Sequence, residues 1–174
     1  MSSTPRFIHL RTHSEYSLLE GALRLKKLPG LCAAADMPAM ALTDTNNMFA
    51  ALEFSVAMAG AGVQPIIGCQ VDVTWMQVRP GDKPVNPAPV VLLAQTEAGY
   101  EHLMKLNSAL YLQGDGQLPQ VSVAQLVSHA EDVICLTGGP DGPIGRLLQQ
   151  GQRPAAQAMM DALAHGFGDR LYVE

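Results

Sequence analysis

The chain has little positive charge: 11 Lys and Arg stand against 16 Asp and Glu, for a net charge of -5 and a pI near 5.4. Phosphate binding draws on clustered Lys and Arg, so this balance argues against the chain being a main nucleic-acid grip. The longest basic cluster, Arg24-Leu25-Lys26-Lys27, is short and reads as a solvated helix face. Cysteine is also sparse. Cys32, Cys69 and Cys135 are odd in number, widely spaced and set in apolar surroundings, which suits reduced core thiols rather than a disulfide frame or a zinc site. No apolar run approaches ~18 residues and the first residues lack a signal-like apolar stretch, so neither membrane spanning nor secretion is indicated and a cytoplasmic protein is expected. There is no Walker lysine, no dinucleotide fingerprint and no carboxylate triad for two-metal nucleotidyl transfer. Internal repeats and low-complexity tracts are absent too.

What is present is a chain 48% hydrophobic over 174 residues, enough for one domain with a real core. Short apolar runs alternate with segments of helical period, the pattern of an α/β fold with parallel strands. Phe7 to Leu10 reads as a first strand. Ala22 to Ala35 reads as a helix that Pro29-Gly30 should interrupt or kink. Ala39 to Thr43 is a second strand, followed by a helix through Phe49, Leu52 and Val56, capped by Thr45 or Asn46. From Ile66 to Thr74 the period is two, with Ile67, Cys69, Val71 and Val73 on one face and Gly68, Gln70 and Asp72 on the other. A loop from Arg79 to Pro89 leads to the apolar run Val90 to Ala94. A helix over Glu97 to Leu112 carries Leu103, Leu106 and Leu110 as its stripe. After the Gly-rich loop Gln113 to Gln117 come a short helix, Val123 to His129, and a buried strand, Val133 to Thr137. Gly138 to Gly142 is a turn into a helix from Ile144 to Gln149. A last helix buries Ala155, Ala158, Met159, Ala162 and Leu163, and Leu171 to Glu174 opens a strand.

The segment His9-Leu10-Arg11-Thr12-His13 places two histidines at the end of an apolar run, where metal-dependent hydrolases gather ligands. Arg11 between them has five donors and no lone pair, so it contributes a fixed positive charge instead of a ligand. Parallel strands carry their working residues at their carboxyl ends, so His13, Glu15 and Glu20, then Asp44 and Thr45, then Gln70 and Asp72 are expected on one rim. Each also has a plainer reading. His9 is a packed core histidine. Ser17-Leu18-Leu19-Glu20 has the capping-box spacing, which makes Glu20 a helix-start residue. Asp44 before Asn46-Asn47 is a turn or cap residue, and His102, His129 and His165 are surface residues.

The run His9-Leu10-Arg11-Thr12-His13-Ser14-Glu15-Tyr16-Ser17-Leu18-Leu19-Glu20-Gly21, then Ala41-Leu42-Thr43-Asp44-Thr45-Asn46-Asn47, then Gln64-Pro65-Ile66-Ile67-Gly68 follow in a recognisable order. With Val91-Leu92-Leu93-Ala94, Gly99-Tyr100 and Leu136-Thr137-Gly138-Gly139, the chain from Arg6 onward resembles the PHP (polymerase and histidinol phosphatase) domains at the front of bacterial DNA polymerase III alpha subunits. The resemblance implies an incomplete, distorted (β/α)7 TIM-like barrel, with residues 1–174 as the N-terminal part of a single domain that stops before barrel closure. It implies a parent protein that performs template-directed DNA synthesis in replication and meets DNA elsewhere in its chain, with this domain as a scaffold that docks the proofreading exonuclease subunit. Active family members hold a cluster of divalent metals. Here only His13 matches their His-x-His pair, Thr45 follows Asp44 in a ligand's place, Gln70 stands where Glu is expected, Pro89 lies near the place of a His, and Glu20 replaces Asp.

A cluster of cations needs several anionic or imidazole ligands, whereas a guanidinium, a hydroxyl, an amide and a prolyl ring occupy these positions. The expectation is a metal-free remnant site at His13, Glu20 and Asp44, with Arg11 paired to Asp44 or Glu20. The alternative is a working metallophosphoesterase, a pyrophosphatase or 3'-5' exonuclease. A sheet with an unclosed edge is further expected to self-associate or to be marginally stable.

Overall fold

The computed structural model describes residues 7–76, 85–112 and 118–174. Among them, in chain order, lie α1 (Leu28–Ala34), β1 (Ala39–Leu42), α2 (Ala51–Gly60), β2 (Gln64–Val73), β3 (Ala88–Ala94), α3 (Glu97–Leu112), α4 (Val123–Ser128), β4 (Val133–Leu136), α5 (Pro143–Gln149), α6 (Arg153–Phe167) and β5 (Leu171–Tyr172). The strands form one five-stranded sheet in the order β1-β2-β3-β4-β5. It is mixed rather than parallel: β1 with β2 and β4 with β5 run parallel, while β2 with β3 and β3 with β4 run antiparallel. β2 and β3, consecutive along the chain, lie side by side as an antiparallel pair from Gly68↔Leu93 to Val73↔Ala88. Much of the expected loop between them, and all of Gln113 to Gln117, lies outside the described residues.

The period of two in β2 sorts its side chains as expected. Cys69, Val71 and Val73 enter the main core, where Leu103, Leu106 and Leu110 of α3 and Leu163 and Phe167 of α6 pack against them. Each such leucine withdraws enough apolar surface to stabilise the fold by roughly 1.5–3 kcal/mol. A second core joins α1, β1 and α2 through Leu28, Met40, Leu42, Phe54 and Met58. Across the sheet, Leu93 and Leu136 face a cavity of about 880 Å³, lined also by residues 7–11 and 172–174.

Several elements differ from the sequence reading. Phe7 to Leu10 is not a ladder strand. It runs beside β1, where His9 and Thr12 carbonyls accept from Ala41 and Thr43 N–H at 2.8 and 2.9 Å, but the Thr43 hydroxyl, not a backbone carbonyl, accepts the Thr12 N–H. His9 is exposed on the cavity wall, edge-on to Phe7, and not in the core. Pro29 starts a helix instead of breaking one, because a first-turn residue has no intrahelical N–H bond to lose. Helix α2 starts at Ala51 without a side-chain cap, since Thr45 and Asn46 are engaged elsewhere. Helix α6 buries Ala156, Leu163 and Phe167, so the expected stripe is rotated and Ala155 and Ala158 are exposed. The Gly138-Gly139 turn is confirmed: Gly138 has φ 80°, and a Cβ there would sit 2.0 Å from the Pro89 carbonyl oxygen.

Candidate functional site

The rim of the sheet brings together the loop after the first extended segment, the end of β1 and the middle of β2. Beyond Leu42 the β1–β2 pairing continues as a bridge between Thr45 and Gln70, held by Gln70 N–H to Asp44 carbonyl at 3.1 Å and Asn46 N–H to Gln70 carbonyl at 2.8 Å. This register puts Asp44, Thr45 and Gln70 at one place. The loop from Ser14 to Leu23 closes over it, bridged at its two ends and turned tightly at Gly21, where a Cβ would lie 1.8 Å from the Ser14 carbonyl oxygen.

Ser17 to Glu20 is therefore a turn segment of this loop and not a helix start, and neither Ser17 nor Glu20 caps anything. The Ser17 hydroxyl donates to Asp44 Oδ1 at 2.6 Å. Ser14 adds its N–H to the same oxygen and its hydroxyl to Oδ2, both at 2.7 Å. Asp44 is 2% exposed and so sits in a cage of three short donors. Such charge-assisted bonds offset the cost of burying a carboxylate. The capping box in this fold belongs to α4, between Ser122 and Gln125.

Arg11 does not pair with Asp44 or Glu20. Its Nε and Nη2 donate to Gln70 Oε1 at 3.1 and 2.8 Å, and Nη1 reaches the Glu174 carboxylate at 3.3 Å. His13 Nε2 meets the same Gln70 Oε1 at 3.1 Å, and its Nδ1 lies 3.6 Å from Glu20 Oε2. The Gln70 amide donates to the Thr45 hydroxyl at 3.2 Å, and that hydroxyl donates to Glu20 Oε2. His13, Gln70, Thr45 and Glu20 thus close a four-membered ring with Arg11 bound to one corner. Because Gln70 turns its oxygen toward Arg11, His13 Nε2 must carry the proton it shares with that oxygen.

Asp72 lies next along β2. Its carboxylate accepts from the Asn46 amide at 2.9 Å, and the Asn46 side-chain oxygen accepts the Asp72 N–H at 2.9 Å. Burial raises the Asp72 pKa above its usual range and the Glu20 charge adds to this, while the Asn46 bond and Arg146 act the other way. Pro89 pairs opposite Asp72 on β3. The sequence reading did not single out Ser14 as Asp44's partner, nor Glu174 as Arg11's. Only its distance along the chain hid Glu174. His102 and His129 contact each other edge-on away from this rim, their Nδ1 atoms bound to the carbonyls of Glu131 and Gln125. Among the described residues, no group of three or more His, Cys, Asp or Glu side chains is gathered as a metal ion would require.

The loop over the rim, the end of β1 and the middle of β2 thus bring His13, Glu20, Asp44 and Gln70 together on one edge of a mixed α/β sheet, and residues 9–174 match the model of the PHP domain. The chain belongs to the PHP domain family. It is 43% identical over 170 residues to the DNA polymerase III subunit alpha of Caulobacter vibrioides, with 97% of this chain and 15% of that protein covered. To the subunit alpha of Vibrio cholerae it is 38% identical over 173 residues, covering 99% of this chain and 14% of the relative. The chain thus spans about one seventh of the length of these curated relatives. Its fold resembles a crystal structure from Bifidobacterium adolescentis, described as a metal-dependent phosphoesterase, with a TM-score of 0.53 and 11% identity over 95% of this chain and 84% of that one. No helix among the described residues is long and apolar enough to cross a membrane.

Proposed function

We propose that this chain is the N-terminal part of the PHP domain of a cytoplasmic, replicative DNA polymerase III alpha subunit, and that it acts there as a catalytically silent scaffold. In this reading residues 1–174 are an arc of a distorted (β/α)7 barrel that further residues complete. DNA synthesis belongs to the parent protein, and the domain stabilises the polymerase and docks its proofreading exonuclease subunit. One observation carries the silent-site reading: Gln70 Oε1 accepts from Arg11 and His13 together, so the rim's centre is filled by a guanidinium and an amide.

The residues do not fit a cluster of divalent metals. His13 faces Gln70 with a protonated nitrogen. Both Asp44 oxygens are taken by serine donors, and Glu20 is bound by Thr45. Placing a cation beside Arg11 adds like-charge repulsion to this lack of ligands. The remnant positions His13, Glu20 and Asp44 serve as structural parts of the polar rim.

Metal content of the protein, measured by elemental analysis after purification without chelator or affinity metal, tests this. Substoichiometric metal in both this chain and a longer version supports the scaffold. Two or three bound ions, with phosphoester hydrolysis that rises on adding Mn or Zn and falls in His13→Ala, would establish the phosphoesterase instead. Self-association or marginal stability of this chain belongs to the same proposal, and a strictly monomeric, highly stable species in sedimentation would count against it.

A further inference from the structure

Helix α2 is apolar on both sides. Its inner face buries Ala51, Phe54 and Met58. The opposite face, at the helical spacing of Phe49, Leu52, Val56 and Ala59, is left in the open, with Phe49 74%, Leu52 76% and Val56 66% exposed. Glu53 and Ser55 are the helix's polar residues. A helix apolar all round belongs in an interior, and a contiguous apolar face on a surface marks a contact.

A second apolar element is anchored beside it. The Asn47 side chain donates to the Tyr16 carbonyl at 3.1 Å and accepts the Phe49 N–H at 3.3 Å, so one amide holds both the loop over the rim and the lead-in to α2. That loop presents Leu18 and Leu19 to solvent, and Leu19 is fully exposed with φ 68°. A bulky side chain in this left-handed conformation is strained, where glycine would not be. The Glu20 and Gly21 N–H groups, both donating to the Ser17 carbonyl, hold the turn in this form.

We propose that the α2 outer face, Phe49, Leu52 and Val56, with the Leu18-Leu19 tip, is the surface on which the polymerase body of the same alpha-subunit polypeptide packs. This rests on the reading of the chain as part of an alpha subunit. The occupant follows from length. In the curated relatives about 85% of the polypeptide lies outside the matched region, and a covalently tethered body has an effective concentration of about millimolar, well above a free partner's. An apolar face with an aromatic anchor suits such a permanent contact better than a transient, charge-steered one.

The test uses the intact alpha subunit carrying Leu52→Cys, treated with a maleimide, with the labelled peptide quantified by mass spectrometry in native and urea-unfolded protein. The native L52C thiol is expected to react ~100-fold or more slowly than the unfolded one, equally at all protein concentrations and without other replicase proteins. Reaction at the unfolded rate in the native subunit overturns the proposal. So does protection that needs a separate subunit, which assigns the face to that partner, or protection lost on dilution, which assigns it to a second copy. Val56→Cys gives the same reading if L52C does not fold. Metal content does not enter the result, so this proposal and the silent-site reading fail independently.

Discussion

Asp44 and Gln70 are neighbours joined by a backbone hydrogen bond, yet their side chains live in different worlds. Asp44 satisfies both its oxygens by turning into a closed cage of donors from a single loop. Gln70 has no charge to satisfy and instead collects donors from two directions on a half-open rim. The first arrangement is self-contained, and the second depends on residues scattered over the chain. A carboxylate at position 70 would have to answer to both Arg11 and Glu20, whereas the amide uses its oxygen for one and, through Thr45, its nitrogen for the other. The second arrangement is a brace that ties Arg11, His13, Thr45 and Glu20 to one amide.

The contrast sets the sizes of the expected effects. Asp44→Ala leaves three buried donors without a partner and should destabilise the chain by ~3 kcal/mol or more in urea unfolding. Arg11→Ala removes partly exposed contacts to Gln70 and Glu174 and should cost ~1–2 kcal/mol in the same measurement. If Arg11→Ala proves the costlier of the two, the division into cage and brace is wrong. Thr45→Val interrupts the ring at one link and should cost about 1 kcal/mol.

Asp72 sharpens the comparison through pH. Its folded pKa is raised above the usual 3.8, so the native state holds this proton more tightly than the unfolded chain does. The stability this contributes is full below pH 3.8 and is lost as pH rises through the raised value. Asp72→Asn should therefore gain on the wild type as pH rises above 3.8, by an amount that paired denaturation curves would read. The smallest perturbation is chemical. Burial pushes the thiols of Cys69 and Cys135 up to about 12, so both should resist iodoacetamide at pH 8.5 in the native protein and react once it is unfolded.

Much of the fold was legible because period and composition agreed. Leu103, Leu106 and Leu110 could only be one face of a helix, and Cys69, Val71 and Val73 one face of a strand. Periodicity located α2 but could not choose its inner side, because Phe54 and Met58 are as apolar as Leu52 and Val56. The Ser17-x-x-Glu20 spacing suggested a helix start, and only the fold shows these side chains drawn to Asp44 and Thr45 instead. His13, Glu20 and Asp44 were recognisable as a group from their order along the chain. Their separation into a cage and a ring was not, since it depends on which way each side chain turns. The mixed strand directions escaped notice because alternating apolar runs carry no sign of direction.

The bond between Arg11 and Glu174 joins residues 163 apart in the chain. At a synthesis rate of ~5–20 residues per second, Arg11 emerges from a ribosome about 8 to 33 seconds before its partner does. The Asp44 cage draws only on residues up to 44, so it can settle first, with the guanidinium still hydrated. The rim is then assembled in an order set by translation, and the Arg11–Glu174 contact forms only when residue 174 has emerged.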